Sequence, residues 1–183
     1  GGARYGIHES LDSFKYFGTI KLFEPEIAEY NRLKHKYRHN KNIEVRKEAL
    51  GSDNETAKLN VLKHEALSTI YTVKDKLNLF NSRQGQYQKV RTNEITIKRL
   101  DEILNEAPDF LKLDIEGMEL EALKGCGSIL EDIVGIRCEC VFRPFFKSPK
   151  SVIFRDLDQW LDRRGFDLIS IDDMRNGRQT SDF

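Results

Sequence analysis

Phe110-Leu-Lys-Leu-Asp-Ile-Glu-Gly-Met-Glu119 is the stretch whose reading decides the fold. It opens as a short strand over residues 110–113. It then passes into a helix that carries Ile115, Met118, Ala122 and Leu123 on one face and ends at Gly125 and Gly127. A strand buried on both faces reads as continuously apolar. Lys112 and Asp114 break that rule two residues apart, hence on the same side, and Glu116 and Glu119 follow in the first helical turn. Capping and the helix dipole account for the three acids. They do not account for Lys112, which needs an acidic partner once it leaves water.

Outward from this stretch, strand and helix signals alternate. On the N-terminal side, residues 19–23 read as a strand, and Pro25 stands where a first helical residue tolerates proline. Ile27, Tyr30, Leu33 and Tyr37 then recur at helical spacing, with the basic run 34–41 on the solvated end of that helix. Residues 43–50 form a second strand, closed by the turn Gly51-Ser52-Asp53-Asn54, and residues 57–62 are expected to pair back on it as a hairpin. Residues 63–88 are the least periodic part, a length that inside a domain marks a functional or mobile segment. Residues 90–97 resume a strand, followed by a short helix with Leu100, Ile103 and Leu104.

On the C-terminal side, residues 134–142 are the longest apolar strand candidate, with Arg137 and Glu139 on one face. An amphipathic helix follows with Phe154, Leu157, Trp160 and Leu161, Gly165 stops it, and residues 166–171 read as a final strand. Repeated β-α-β order makes the chain an α/β protein with a mainly parallel sheet and helices on both faces.

The totals narrow the function. At 183 residues the chain fits one domain, 1–183. Thirty basic residues balance thirty acidic ones, a balance that offers no net attraction to nucleic acid or to an anionic membrane. The three cysteines, Cys126, Cys138 and Cys140, suit neither a disulfide framework nor a zinc site, and read as small buried hydrophobes in a reducing compartment. No apolar run approaches the roughly 20 residues of a membrane span, and no signal peptide precedes Gly1, so a soluble cytoplasmic protein is expected.

Ligands of open parallel sheets bind at the carboxyl ends of the strands. Three places there carry polar chemistry. Gly2-Ala3-Arg4-Tyr5-Gly6 is a turn that lets backbone approach a ligand closely, although glycine turns are common. Glu24 follows its strand directly, where a carboxylate either accepts hydrogen bonds from a ribose or complements the next helix N-terminus. Asp114 and Glu139 would meet at the edge of adjacent strands with Lys112 beside them. Such a group either tunes acid–base chemistry or forms a structural ion-pair network.

These residues resemble a known family. Lys112-Leu-Asp-Ile-Glu-Gly-Met-Glu119 with Leu123-Lys-Gly125 is similar to the Lys-x-Asp-x-Glu-Gly-x-Glu…Leu-x-Gly signature of FkbM-type methyltransferases. Gly2-Ala3-Arg4-Tyr5-Gly6 resembles the turn of that family's cofactor motif, and Phe23-Glu24-Pro25 its Phe-Glu-Pro. Glu48-Ala-Leu-Gly-Ser-Asp53 resembles its Ala-Leu-Ser-Asp turn, with Gly51 as an extra residue. Glu139 with Phe142 resembles its late strand, followed by the tryptophan-bearing helix and a Gly-Phe-x-Leu strand.

The resemblance implies a Rossmann-like class I methyltransferase fold, S-adenosyl-L-methionine as cofactor, and O-methylation of a hydroxyl on a sugar, glycan or natural product. By it, Gly2, Ala3 and Gly6 lie under the cofactor's methionine, Glu24 holds the ribose, and Ala49, Leu50 and Asp53 border adenine. Asp114 borders the cofactor and is the first candidate base, with Glu139 second and Lys112 fixing their protonation. Glu116 and Glu119 are expected to orient the loop through backbone amides. A divalent cation at these carboxylates ranks third because no histidine stands beside them, and no metal ligand is assigned. The family's strand and aspartate before Gly2 and its closing strand are not found, so a fold without its first and last strands is expected, in a chain clipped at both ends. Two rivals remain: a nucleotide-sugar or nicotinamide enzyme, against which Gly-x-x-x-Gly counts, and a methyltransferase-like scaffold that binds without turnover.

Overall fold

The computed structural model describes residues 1–16, 18–74 and 85–172. Seven strands and four α-helices are built within them. β1 (Ile20–Phe23) and β2 (Ile43–Arg46) pair in parallel, with Phe23 opposite Arg46. The crossover between them is α1 (Ile27–Lys36). Its buried face is not the one that aliphatic spacing suggests: Ile27 is 54% exposed, while Glu26, Glu29 and Leu33 are buried. The acids tolerate burial because each is bonded. Glu26 is the N-cap and accepts from the Glu29 N–H at 2.9 Å, and Glu29 takes both Arg32 and the Tyr5 N–H. Pro25 therefore lies outside the helix rather than at its first position.

The expected strand 43–50 is two elements. It breaks after Arg46, and β3 (Ala49–Leu50) joins another sheet. That sheet has the order β3-β5-β4, with β4 spanning Glu55–Leu62 and β5 spanning Lys89–Lys98. Residues 57–62 thus do not fold back on 43–50. β4 runs antiparallel to β5, and β5 lies between it and β3, burying Leu59, Val61, Ile95 and Ile97 together with Met118. The polar stretch 81–86 lies mostly outside the described residues.

α2 (Leu100–Ile103) leads to the second parallel pair, β6 (Phe110–Leu113) and β7 (Gly135–Cys138). β7 is shorter than the apolar run 134–142: Val134 is exposed, and the chain leaves the strand at Glu139. Between them, α3 (Glu119–Lys124) begins four residues later than the pattern suggests, because 115–118 form a loop. α4 (Phe154–Asp162) follows as expected and buries Leu157. Residues 166–171 form no strand, and Leu168 and Ile169 stand exposed.

Leu111, Leu113, Leu123, Leu130, Ile133 and Leu157 form the largest core cluster, together with Phe23 and Leu50 from the other sheets. Residues 1–3 tie the two parallel pairs together. The Gly1 nitrogen donates to the Lys112 carbonyl at 2.7 Å, and the Ala3 N–H to the Phe23 carbonyl at 3.2 Å. The three cysteines are free, and burial pushes the Cys126 and Cys138 thiols up to about 12, consistent with their place as packing residues. No helix among the described residues is long and apolar enough to cross a membrane.

Candidate active site

Because β1 and β6 end at the same edge and residues 1–3 join them there, the residues just beyond both strands share one cleft. Its floor includes Gly2, Glu24 and Asp114, and its roof comes from the β3-β5-β4 sheet and the turn that follows β4. Of the eight residues expected around a cofactor, Gly2, Glu24, Ala49, Leu50 and Asp114 line this cleft, whereas Ala3, Gly6 and Asp53 do not.

Each displacement has a physical reason. Ala3 is buried with Leu22, Leu33 and Ile43 in a separate core cluster. A Cβ at Gly6 would strike the Tyr37 hydroxyl, so its missing side chain serves packing against the end of α1. Asp53 faces away because the extra Gly51 lets the turn press on α3: a Cβ at Gly125 would meet the Gly51 carbonyl oxygen. Arg99 Nη1 and Glu121 then hold Ser52 on that side. Gly2 has φ +67, and a Cβ there would collide with the Asp114 carbonyl oxygen. Only glycine fits both that conformation and that approach.

Glu24 is 5% exposed at the end of β1 and accepts a hydrogen bond from the Glu26 N–H at 3.0 Å. The helix cap is Glu26, so capping does not explain Glu24. Burial lifts its carboxyl to about 7; the Glu26 amide and the Arg4 charge oppose the lift without cancelling it. Beside it, Arg4 bonds Glu65 at 2.8 Å and Arg91 reaches both Glu26 and Glu65, a cross-cleft ion network that joins floor and roof.

At the other end of the cleft the β6–β7 register sets the chemistry: Asp114 lines the cleft there, while Lys112 and Glu139, also expected at the site, adjoin Asp114 without lining it. Leu113 pairs with Cys138, and the Glu139 N–H donates to the Leu113 carbonyl, so Asp114 and Glu139 become neighbours. Lys112 finds its acid in Asp114, at 2.8 Å. Burial alone would raise Asp114, but the hydrogen bond with Glu139 and the Lys112 ammonium outweigh it, and its carboxyl lies below the usual range. Burial and the shared bond with Asp114 push Glu139 up to about 8. Two carboxyls so joined hold one proton between them near neutrality and titrate as a pair.

Glu119 plays the orienting part expected of it, accepting from the Ile115 and Gly117 amides at 2.9 and 3.0 Å. Glu116 does not. It lines the cleft at φ +53, and burial with the charges of Glu139 and Asp114 pushes its carboxyl up to about 9. Oxygens of Asp114, Glu116 and Glu139 lie within 4.8 Å of one another, close enough to ligate a divalent cation. Sequence reasoning missed the roof residues, Leu59, Glu65, Thr69, Ile95 and Ile97 among them. The functional reading of 63–88 and the strand reading of 90–97 pointed toward these segments without naming a residue, while Ala49 and Leu50 of the same roof were expected.

With the geometry in place, comparison with known proteins adds three findings. A solved structure of methyltransferase FkbM from Methylobacillus flagellatus is similar over 76% of this chain, at 20% identity and a TM-score of 0.47. This chain covers 31% of that one. No curated protein matches the chain. The methyltransferase FkbM domain model matches residues 1–168, and the chain belongs to that family.

Proposed function

We propose that this chain is an S-adenosylmethionine-dependent methyltransferase of Rossmann-like class I type, transferring a methyl group to a hydroxyl of a sugar, glycan or natural product. The observation that carries the reading is a buried, helix-independent carboxylate, Glu24, facing the same cleft as the Gly2 turn and Asp114. The lining of the cleft suits the cofactor's chemistry, with a few polar groups set among apolar side chains. Glu24 would accept the ribose hydroxyls, Leu50, Leu59, Ile95 and Ile97 offer adenine an apolar slot, and Gly2 leaves backbone open to the methionine.

When bound, the cofactor supplies a methyl group on an electrophilic sulfur. The chain's own task is alignment and proton handling. Asp114, kept ionised by Lys112, accepts the proton of the acceptor hydroxyl, and Glu139 holds the neighbouring proton of the pair. The test is calorimetry with S-adenosylhomocysteine, followed by turnover against a panel of hydroxylated acceptors. Tight binding of NAD with no heat from the sulfur ligand would overturn the reading, and binding without turnover on any acceptor would favour a scaffold.

A further inference from the structure

The loop that carries the acids is held from outside itself. Glu116 has φ +53, a left-handed conformation that a residue with a side chain keeps only when its surroundings impose it. Its carbonyl accepts a hydrogen bond of 2.8 Å from Thr69 Oγ1. Thr69 is 2% exposed, and its hydroxyl oxygen also accepts from the Tyr71 N–H at 3.1 Å, so donor and acceptor capacity are both in use.

Thr69 is itself fixed. Its amide and carbonyl exchange bonds of 3.2 and 2.9 Å with Asn60 of β4. Farther along, the Lys74 N–H donates to the Phe145 carbonyl and the Lys147 N–H to the Thr72 carbonyl, at 3.0 and 2.7 Å. Phe146, buried at that junction, fills the space over Gly117, where a Cβ would collide with its ring. Residues 69–74 therefore reach the acid loop through Thr69 at Glu116, and Phe146, in the segment bonded alongside them, reaches it at Gly117.

We infer that Thr69 is a positioning residue of the methyl-transfer site. Its hydroxyl holds Glu116 in the left-handed conformation, and so holds the Glu116 carboxyl beside Asp114 and Glu139. The acceptor end of the cleft is then assembled jointly by the β6–β7 edge and by the 69–74 arm. The inference rests on the methyltransferase reading of the cleft and deepens it. Besides Asp114 and Glu139, the titratable group facing Glu116 is Glu119, and Lys112 reaches the cluster through Asp114.

Valine matches threonine in shape but offers no hydroxyl, and serine keeps the hydroxyl in less volume. The experiment titrates glutamate side chains by carbon-13 NMR in the 183-residue chain and its Thr69→Val and Thr69→Ser variants. Glu116 should titrate near 9 in the parent and in Thr69→Ser. It should move at least about one unit toward the ordinary carboxylate range in Thr69→Val, as the freed loop opens to water. Glu24 should keep its titration in all three, which reports an intact fold. An unmoved Glu116 in folded Thr69→Val overturns the positioning role. Should Thr69→Val not fold, Thr69→Ala against Thr69→Ser carries the comparison, since they differ only in the hydroxyl, and equal titration overturns the inference equally. Calorimetry on the parent separates the two levels. Failure to bind S-adenosylhomocysteine sinks the methyltransferase reading, whereas binding with an unmoved Glu116 sinks only the role of Thr69.

Discussion

On the proposed function, Glu24 would couple cofactor binding to pH, with a magnitude that follows from its burial. Its carboxyl titrates near 7 in the folded chain, against an ordinary value of 4.5, because burial disfavours its charge. Ribose hydroxyls donate hydrogen bonds and favour the charged form. Binding then requires the proton to leave, and affinity rises with pH until the carboxyl is already ionised. With a value near 7, about 3% is ionised at pH 5.5 and about 90% at pH 8, so affinity for S-adenosylhomocysteine should rise roughly 30-fold over that interval, about 2 kcal/mol.

The folded state shows the opposite trend. A carboxyl whose value is raised on folding binds more protons folded than unfolded between 4.5 and 7. Stability should therefore fall as pH rises through that window, by up to about 3 kcal/mol for a group this buried, and level off above it. Glu24→Gln removes both effects. It should melt higher than the parent at pH 8, match it near pH 4.5, and bind the ligand with little pH dependence and more weakly at pH 8. Calorimetry in two buffers of different ionisation heat counts the released proton directly, close to one per binding event at pH 5.5. A parent whose affinity is flat from pH 5.5 to 8, with Glu24→Gln binding equally well, would refute the assignment of Glu24 to the ribose.

Three further outcomes follow from the geometry. Asp114→Asn should cut methyl transfer by about 10²–10⁴-fold. It should cost under about 1 kcal/mol in urea unfolding, because the Asp114 side chain is 43% exposed and water can replace it at Lys112; near-normal turnover would pass the base role to Glu139. Gly2→Ala should lose more than about 1 kcal/mol by thermal melting, since it meets both a positive φ and the Asp114 carbonyl, and an unchanged melting point would show that the turn can move. Asp53→Ala, outside the cleft, should leave S-adenosylhomocysteine affinity within about twofold, and a larger loss would return that turn to the adenine site.

Local pattern was readable wherever it sufficed. The parallel pairs β1–β2 and β6–β7, their helices and the ends of α4 follow from short apolar runs and from turn residues that act within a few positions. What failed needed a partner distant in sequence. Nothing in residues 57–62 says that 89–98 will lie between them and 49–50, so the nearest strand was the natural but mistaken choice. Residues 166–171 have a strand's apolar, β-branched content, but composition alone supplies no neighbour to bond. Burial of Glu26 and Glu29 was equally hidden. Ile27 carries the hydrophobic signal, yet the face that packs is the one whose acids find Arg91, Asn93, Arg32 and backbone amides.

The same distinction divides the cleft. The acid cluster at one end was legible because Lys112, Asp114 and Glu139 violate the apolar rule for buried strands, and a violation at a strand end needs a reason; of the three, Asp114 lines the cleft. Apart from Ala49 and Leu50, its roof was not, because Leu59, Thr69, Ile95 and Ile97 are ordinary residues for a sheet and its connecting turn; only the three-dimensional pairing turns their faces to the cleft. Glu116 stands between the two cases. The sequence shows its carboxylate in a capping position, which made a structural role the economical reading. The left-handed backbone at 116 is what withdraws it from the helix end and sets it with Asp114 and Glu139. That conformation depends on a hydroxyl 47 residues away. The acid-bearing end of this cleft is therefore shaped by a long-range hydrogen bond as much as by the motif that announces it.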